Sequence, residues 1–221
     1  MEGLLLVNKP VGVTSFDVIR QLRRATGVRK IGHAGTLDPL ASGLMLVLFG
    51  TACKQAQLLT KLDKRYVAEV RLGATSPTGD AEGELEPVSE RVPDLVEVEL
   101  ALDQLTGELE QTPPVYSAIK IDGREAYKRA RAGEIVTMPS RRVTVYENRL
   151  VRYGYPAVEL DTRVSSGTYI RTLAEDLGRL LGTGAYLGGL VRTEAGRYRL
   201  VDAVALDEAT RALVAERLIA L

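Results

Sequence analysis

Between Gly32 and Gly43 the chain gathers residue types that can do chemistry: its only histidine, His33, an aspartate, Asp38, and three glycines, directly ahead of the unbroken apolar run 44–49. Glycine reaches backbone conformations closed to other residues, and Pro39 fixes its own φ while steering Asp38 away from the helical region. A carboxylate held in such a loop can act as nucleophile, general base or metal ligand. It can equally cap a turn, since Asp before Pro is a common turn starter. Other groups are scarce. One cysteine, Cys53, excludes an intrachain disulfide, and with a lone histidine it cannot supply a zinc cluster of the usual composition. Cys53 reads as a small core residue, and carboxylate chemistry is what remains.

Two further side chains stand out by position. Tyr66 opens an alternating stretch, residues 64–72, and shares a face with Ala68, Val70 and Leu72. It is either a core tyrosine or an aromatic on which a base can stack. Arg171 falls in the first turn of an expected helix, where the helix dipole disfavours a cation, so an anionic partner is implied, a carboxylate or a phosphate.

The elements that must position these groups are legible in the pattern. A short buried strand at 4–7 leads through Pro10 and Gly12 into a helix over 16–26, capped by Thr14 and Ser15, with Asp17 in its first turn and Gly27 at its end. A strand over 44–49, a helix over 51–62 and a strand over 64–72 follow. Residues 73–94 read as a loop, and a helix then runs up to Gly107. Pro113 and Pro114 keep the start of 111–120 out of a central strand but allow one by Tyr116. Asp122-Gly123 marks a turn before a basic helix over 124–131, ended by Gly133. Strands over 143–151 and 157–164 join through Tyr153-Gly154-Tyr155-Pro156, and the segment 165–168 caps a helix over 169–181 closed by Gly182. Two strands within 184–200 and a last helix capped by Asp207 complete a mixed α+β domain built on an extended sheet.

A chain of 221 residues with 45% hydrophobic and 26% charged side chains can bury a full core. No apolar run approaches a membrane span, and residues 4–7 lack the basic flank of a signal peptide, so a cytoplasmic protein is expected. The formal charge is zero, but it is segregated: +6 over residues 1–71, −10 over 72–110, +5 over 111–152 and −1 over 153–221. If the two basic segments share a face, a polyanion has a landing site; otherwise they are solvated helix faces.

The chain resembles the TruB family, bacterial tRNA pseudouridine synthases that act on the T-loop uridine at tRNA position 55. The resemblance rests on Asn8-Lys9-Pro10-Val11-Gly12-Val13-Thr14-Ser15, on Gly32-His33-Ala34-Gly35-Thr36-Leu37-Asp38-Pro39-Leu40-Ala41-Ser42-Gly43, on Asp63-Lys64-Arg65-Tyr66, on Gln111-Thr112-Pro113-Pro114-Val115-Tyr116-Ser117-Ala118 and on Ser166-Gly167-Thr168-Tyr169-Ile170-Arg171. These segments come in the family's order, and the second is highly specific. The resemblance implies a pseudouridine synthase fold, an extended mixed and mostly antiparallel sheet flanked by helices and loops. It implies that Asp38 attacks, that Tyr66 stacks on a flipped uracil, that Arg171 pairs with Asp38, that Tyr169 and Leu190 complete the base pocket, and that His33 touches the RNA beside the target.

No cofactor and no metal is expected. The expected partner is the tRNA T-arm, bound by a monomer with no obligate protein partner and gripped by Lys9, Lys64, Arg124, Lys128, Arg129, Arg131, Arg141 and Arg142. Residues 1–205 would form the catalytic domain, with an RNA-gripping arm at 111–146, and 206–221 a short C-terminal helix. The residues after Leu200 are too few for the PUA domain that relatives commonly carry. Val191 stands where many relatives have arginine. The competing reading is an RNA-binding or tRNA-folding chaperone without essential catalysis. A carboxylate-dependent glycosidase is disfavoured because no second carboxylate has a comparable setting.

Overall fold

The computed structural model describes every residue except Ala118 and Asp122, so Asp122 of the expected turn and Ala118 of the segment 111–118 lie outside the described residues. In chain order the elements are β1 (Gly3–Lys9), α1 (Ser15–Thr26), β2 (Ile31–His33), β3 (Ala41–Phe49), α2 (Ala56–Thr60) and β4 (Lys64–Leu72). Then come β5 (Ala74–Thr75), β6 (Glu86–Pro87), α3 (Leu95–Gln104), β7 (Gly107–Gln111), β8 (Lys120–Ile121), β9 (Arg124–Glu125) and α4 (Ala126–Arg131). The chain ends with β10 (Arg141–Gly154), β11 (Ala157–Val164), α5 (Ile170–Leu181), β12 (Ala185–Ala195), β13 (Tyr198–Arg199), β14 (Val204–Ala205) and α6 (Arg211–Arg217). Among the described residues parallel and antiparallel pairs are mixed, with antiparallel pairs in the majority, and six α-helices accompany them: an α+β arrangement. No helix among the described residues is long and apolar enough to cross a membrane.

The residues group into two compact units, Met1–Val67 with Leu190–Leu221, and Ala68–Gly189. In the first, β1 lies between β3, antiparallel from Gly3↔Phe49 to Lys9↔Gly43, and β14, parallel at Val7↔Val204. Both faces of this sheet are covered, which is why β1 and β3 read as continuous apolar runs rather than alternating ones. Leu5, Val7, Met45, Val47 and Phe49 pack under α1 through Val18, Ile19 and Leu22, with Leu206 and Val214 closing the same core. Leu4, Leu6, Leu44, Leu46 and Leu48 face Ala34, Ala52, Leu59, Ala195 and Tyr198. The far edge of β3 is shared: β2 takes Val47 to Phe49, and β12 pairs in parallel with Ala41 to Gly43.

Helix α1 begins as its sequence predicts. Thr14 and Asp17 form a reciprocal capping box, and Gly27 ends the helix in the left-handed conformation. In the second unit β10 and β11 form a long hairpin, and β7 adds to the outer edge of β10.

Several elements differ from expectation. Residues 51–62 are not one helix: a 3-10 turn (Gly50–Gln55) precedes the short α2, and the Cys53 thiol donates to the Leu48 carbonyl at 3.3 Å. The strand expected after Pro113 and Pro114 lies before them, as β7, where Glu108 and Glu110 on the solvent side hide the alternation behind an acidic composition. The basic stretch 124–131 starts as β9 and becomes helical only from Ala126. Tyr169, not a residue of 165–168, is the N-cap of α5, and Thr168 Oγ1 instead donates to the Ser165 carbonyl at 2.9 Å. The last helix is capped by Thr210, whereas Asp207 sits in the 3-10 turn Leu206–Glu208.

Candidate active site

Asp38 occupies the loop between β2 and β3, and the residues on either side of it are pinned. Ser15, 4% exposed at the start of α1, donates through Oγ to the Leu37 carbonyl at 3.0 Å and accepts from the Leu37 N–H at 2.9 Å. The Gly12 N–H donates to the Pro39 carbonyl at 2.8 Å, and the Asp38 carbonyl accepts from Ala41 at 3.1 Å. One hydroxyl thus satisfies both backbone groups of the residue before the aspartate. The half-buried Asp38 side chain is presented by a fixed backbone rather than by a free turn.

A third anchor comes from β12. Arg192 is 1% exposed; its Nε donates to the Leu44 carbonyl at 2.6 Å, Nη2 to that of Gly35 at 3.3 Å and Nη1 to that of Thr36 at 3.5 Å. Gly43, at φ +99°, lets the strands meet, because a Cβ there would lie 2.4 Å from the Arg192 carbonyl oxygen. The Arg192 charge is felt nearby. Burial first and Arg192 second lower the pKa of His33, whose buried Nδ1 has no hydrogen-bond partner among the described residues. Burial and Arg192 likewise bring the Lys64 ammonium down to about 8, against the opposing pull of Asp63.

Tyr66, on the buried face of β4, is 8% exposed, and Leu190 is half-buried at the start of the pairing between β12 and β3. Lys9 and Lys64 are not surface side chains. Lys9 is fully buried and donates to the carbonyls of Pro10 and Val13 at 2.9 and 2.7 Å; Lys64 donates to those of Thr60 and Leu62, both at 2.5 Å. Both ammonium groups brace turns of their own segments, which corrects the expectation that they reach out to phosphates.

In the second unit Tyr169 and Arg171 open α5. Arg171 is 4% exposed and donates to the carbonyls of Thr78 and Tyr116, each at 2.9 Å, while Asp80 Oδ2 stands 3.5 Å from its Nη1. Asp80, 2% exposed, is itself held, its Oδ1 accepting from Thr78 Oγ1 at 2.6 Å and from the Glu82 N–H at 3.1 Å. An anionic partner for the first-turn arginine is therefore present within its own unit, the Asp80 carboxylate. Tyr169 is fixed twice: the buried Gln111 amide bonds its backbone, and the Arg141 guanidinium stacks 4.8 Å from its ring centre while donating to the Gly167 carbonyl. Arg141 thus packs against the tyrosine that opens α5.

The remaining expected RNA contacts, Arg124, Lys128, Arg131 and Arg142, are exposed, and Arg129 is half-buried. Arg124 and Arg129 pair with Glu134, and Lys128 with Glu125, in surface ion pairs that cost little to exchange for phosphate. Sequence reasoning missed Ser15 as an anchor, Asp80, Gln111 and Arg192. Arg192 carried one signal, a cation within an expected strand. No group of three or more His, Cys, Asp or Glu side chains among the described residues is placed to hold a metal ion.

The chain is similar to chains in two solved assemblies. Over 93% of its length it superposes on a chain of the crystal structure of a Cbf5-Nop10-Gar1 complex, with TM-score 0.74, 28% identity and 53% of that chain covered. Over 93% it also matches a chain in the structure of an H/ACA RNP bound to a substrate RNA containing 2'-deoxyuridine, with TM-score 0.70, 25% identity and 51% covered. It spans about half the length of those chains. The fold is that of a pseudouridine synthase.

The family model for the TruB family pseudouridylate synthase N-terminal domain matches residues 23–170, and that for the tRNA pseudouridylate synthase B C-terminal domain matches 171–219. The tRNA pseudouridine synthase B of Geobacillus thermodenitrificans (strain NG80-2) is 44% identical over 219 residues, 96% of this chain and 72% of that protein. The one from Cupriavidus taiwanensis is 49% identical over 211 residues, 94% of this chain and 67% of that protein. The chain belongs to the TruB family of pseudouridylate synthases.

Proposed function

We propose that this enzyme isomerises uridine to pseudouridine in tRNA, at position 55 of the T-loop, with Asp38 as the attacking group and without a cofactor. The observation that carries the reading is the backbone clamp on Leu37 and Pro39, which holds one carboxylate in a family-specific loop. The reaction breaks the bond from the sugar to N1, turns the uracil and forms the bond from the sugar to C5. The C5 hydrogen leaves and N1 gains one, so the product is an isomer and no electrons are exchanged. A single carboxylate suffices if the pocket retains the detached base.

A base inside folded RNA must first be flipped out, at a cost of a few kcal/mol, and stacking on an aromatic such as Tyr66 returns about 1–3 kcal/mol. In this reading Leu190 lines the base pocket with Tyr66, His33 lies beside the target nucleotide, and Tyr169 and Arg171 take part in binding the substrate. Residues 111–146 form the arm over the RNA, with Arg124, Lys128, Arg129, Arg131 and Arg142 supplying phosphate grip within a catalytic domain of residues 1–205.

The test is release of tritium from 5-tritiated uridine in unmodified tRNA transcripts, since only isomerisation exchanges that hydrogen. The wild type releases tritium; Asp38→Asn binds the same tRNA and releases none. Replacing the target uridine by cytidine abolishes the signal. Tight binding without release by the wild type would favour the chaperone reading, and signal surviving the cytidine replacement would refute the position.

A further inference from the structure

We propose that Arg192 is a positioning residue for the isomerisation: from β12, its buried guanidinium ties the Asp38 loop on both sides and sets where the carboxylate stands before RNA arrives. This rests on the reading of Asp38 as the attacking group. The carbonyls it holds belong to Gly35 and Thr36, upstream of Asp38, and to Leu44, downstream. One rigid fork therefore spans the loop's entry and its exit into β3. The fork is placed by the parallel pairing of Arg192 with Gly43, which brings the two backbones together only because position 43 has no side chain.

The burial of Arg192 makes a purely packing role expensive. Removing a guanidinium from water costs several kcal/mol, and well-packed apolar residues of similar volume often replace buried charges without loss of stability. What an apolar side chain cannot do is hold three carbonyls at once. Lysine cannot do it either: its point charge has no planar fork. At the loop's start the pKa of His33 is lowered, first by burial and second by the guanidinium charge of Arg192.

The measurement is single-turnover tritium release and tRNA affinity for the full chain carrying Arg192→Lys or Arg192→Gln, beside the wild type and Asp38→Asn. Misplacing a reacting group by about 1 Å costs on the order of 10²-fold, so the rate of each Arg192 variant falls by about that factor while the tRNA dissociation constant stays within about threefold.

Rates within about threefold of wild type, or a loss that appears wholly in binding, would overturn the proposal. So would failure of both Arg192 variants to fold, because the guanidinium would then serve the fold itself. Turnover by Asp38→Asn would remove the reading beneath it. An inactive Asp38→Asn beside slow, folded, tRNA-binding Arg192 variants supports both.

Discussion

The amide of Gln111 holds Tyr169 by both of its backbone groups, Oε1 accepting from the Tyr169 N–H at 3.0 Å and Nε2 donating to the Tyr169 carbonyl at 3.3 Å. This side chain, 1% exposed at the end of β7, takes over the work of a helix cap at α5. The N-cap residue makes no side-chain bond of its own, so the first turn of the helix depends on a residue 58 positions earlier.

Gln111→Ala therefore leaves the Tyr169 N–H without this acceptor, while the Tyr169 carbonyl still accepts from the Leu173 N–H at 3.1 Å, and destabilises the chain by about 1–3 kcal/mol. Gln111→Glu keeps the acceptor, loses the donor and falls between. Urea unfolding of the two variants gives the order, and an alanine variant as stable as wild type would show that solvent replaces the amide.

Asp80 and Arg171 form a pair buried on both sides, with side chains 3% and 5% exposed. Removing Asp80 takes away one buried partner of Arg171, so Asp80→Ala costs about 3–5 kcal/mol, whereas Asp80→Asn, which preserves shape and the bond from Thr78, costs less. Turnover falls in both variants if Arg171 serves the reaction. Thermal unfolding beside the tritium assay separates lost stability from lost chemistry, and full activity in Asp80→Asn would show that its charge is dispensable.

His33 titrates below its ordinary value of 6.5, driven down first by burial and then by the Arg192 charge. In the window below 6.5 the unfolded chain binds the proton that the folded chain refuses, so stability falls as pH drops and is recovered as pH rises through that window. Because it is the only histidine, its imidazole resonances report this directly. A midpoint at or above 6.5 would contradict the assigned environment.

Lys128 and Arg131 lie on one short basic helix, both near the Tyr127 ring, at 5.8 and 5.7 Å from its centre. If this segment grips RNA, alanine at either position weakens tRNA binding and makes the slope of log affinity against log salt shallower by about 0.7–0.9 for each phosphate that is no longer neutralised. An unchanged salt slope would return the helix to an ordinary solvated surface.

Read by itself, the sequence determined those features whose physics is local. Thr14, Asp17 and Gly27 bound α1 because capping chemistry acts within four residues of a helix end, and the run 44–49 announced a strand covered on both faces. The resemblance pointed to Asp38 because the residues that shape its loop are its own neighbours in sequence.

What the sequence could not reveal were partnerships closed across long stretches of chain. Ser15 meets Leu37, Gln111 meets Tyr169, Asp80 meets Arg171 and Arg192 meets Gly35 and Leu44 only because strand pairing and helix packing bring them together. Lys9 and Lys64 show the same limit: a lysine reads as a solvent-seeking cation until the fold surrounds it with carbonyls. Sequence thus determined which carboxylate is offered; tertiary structure decided what holds it, because burial and hydrogen-bond geometry depend on residues far away along the chain.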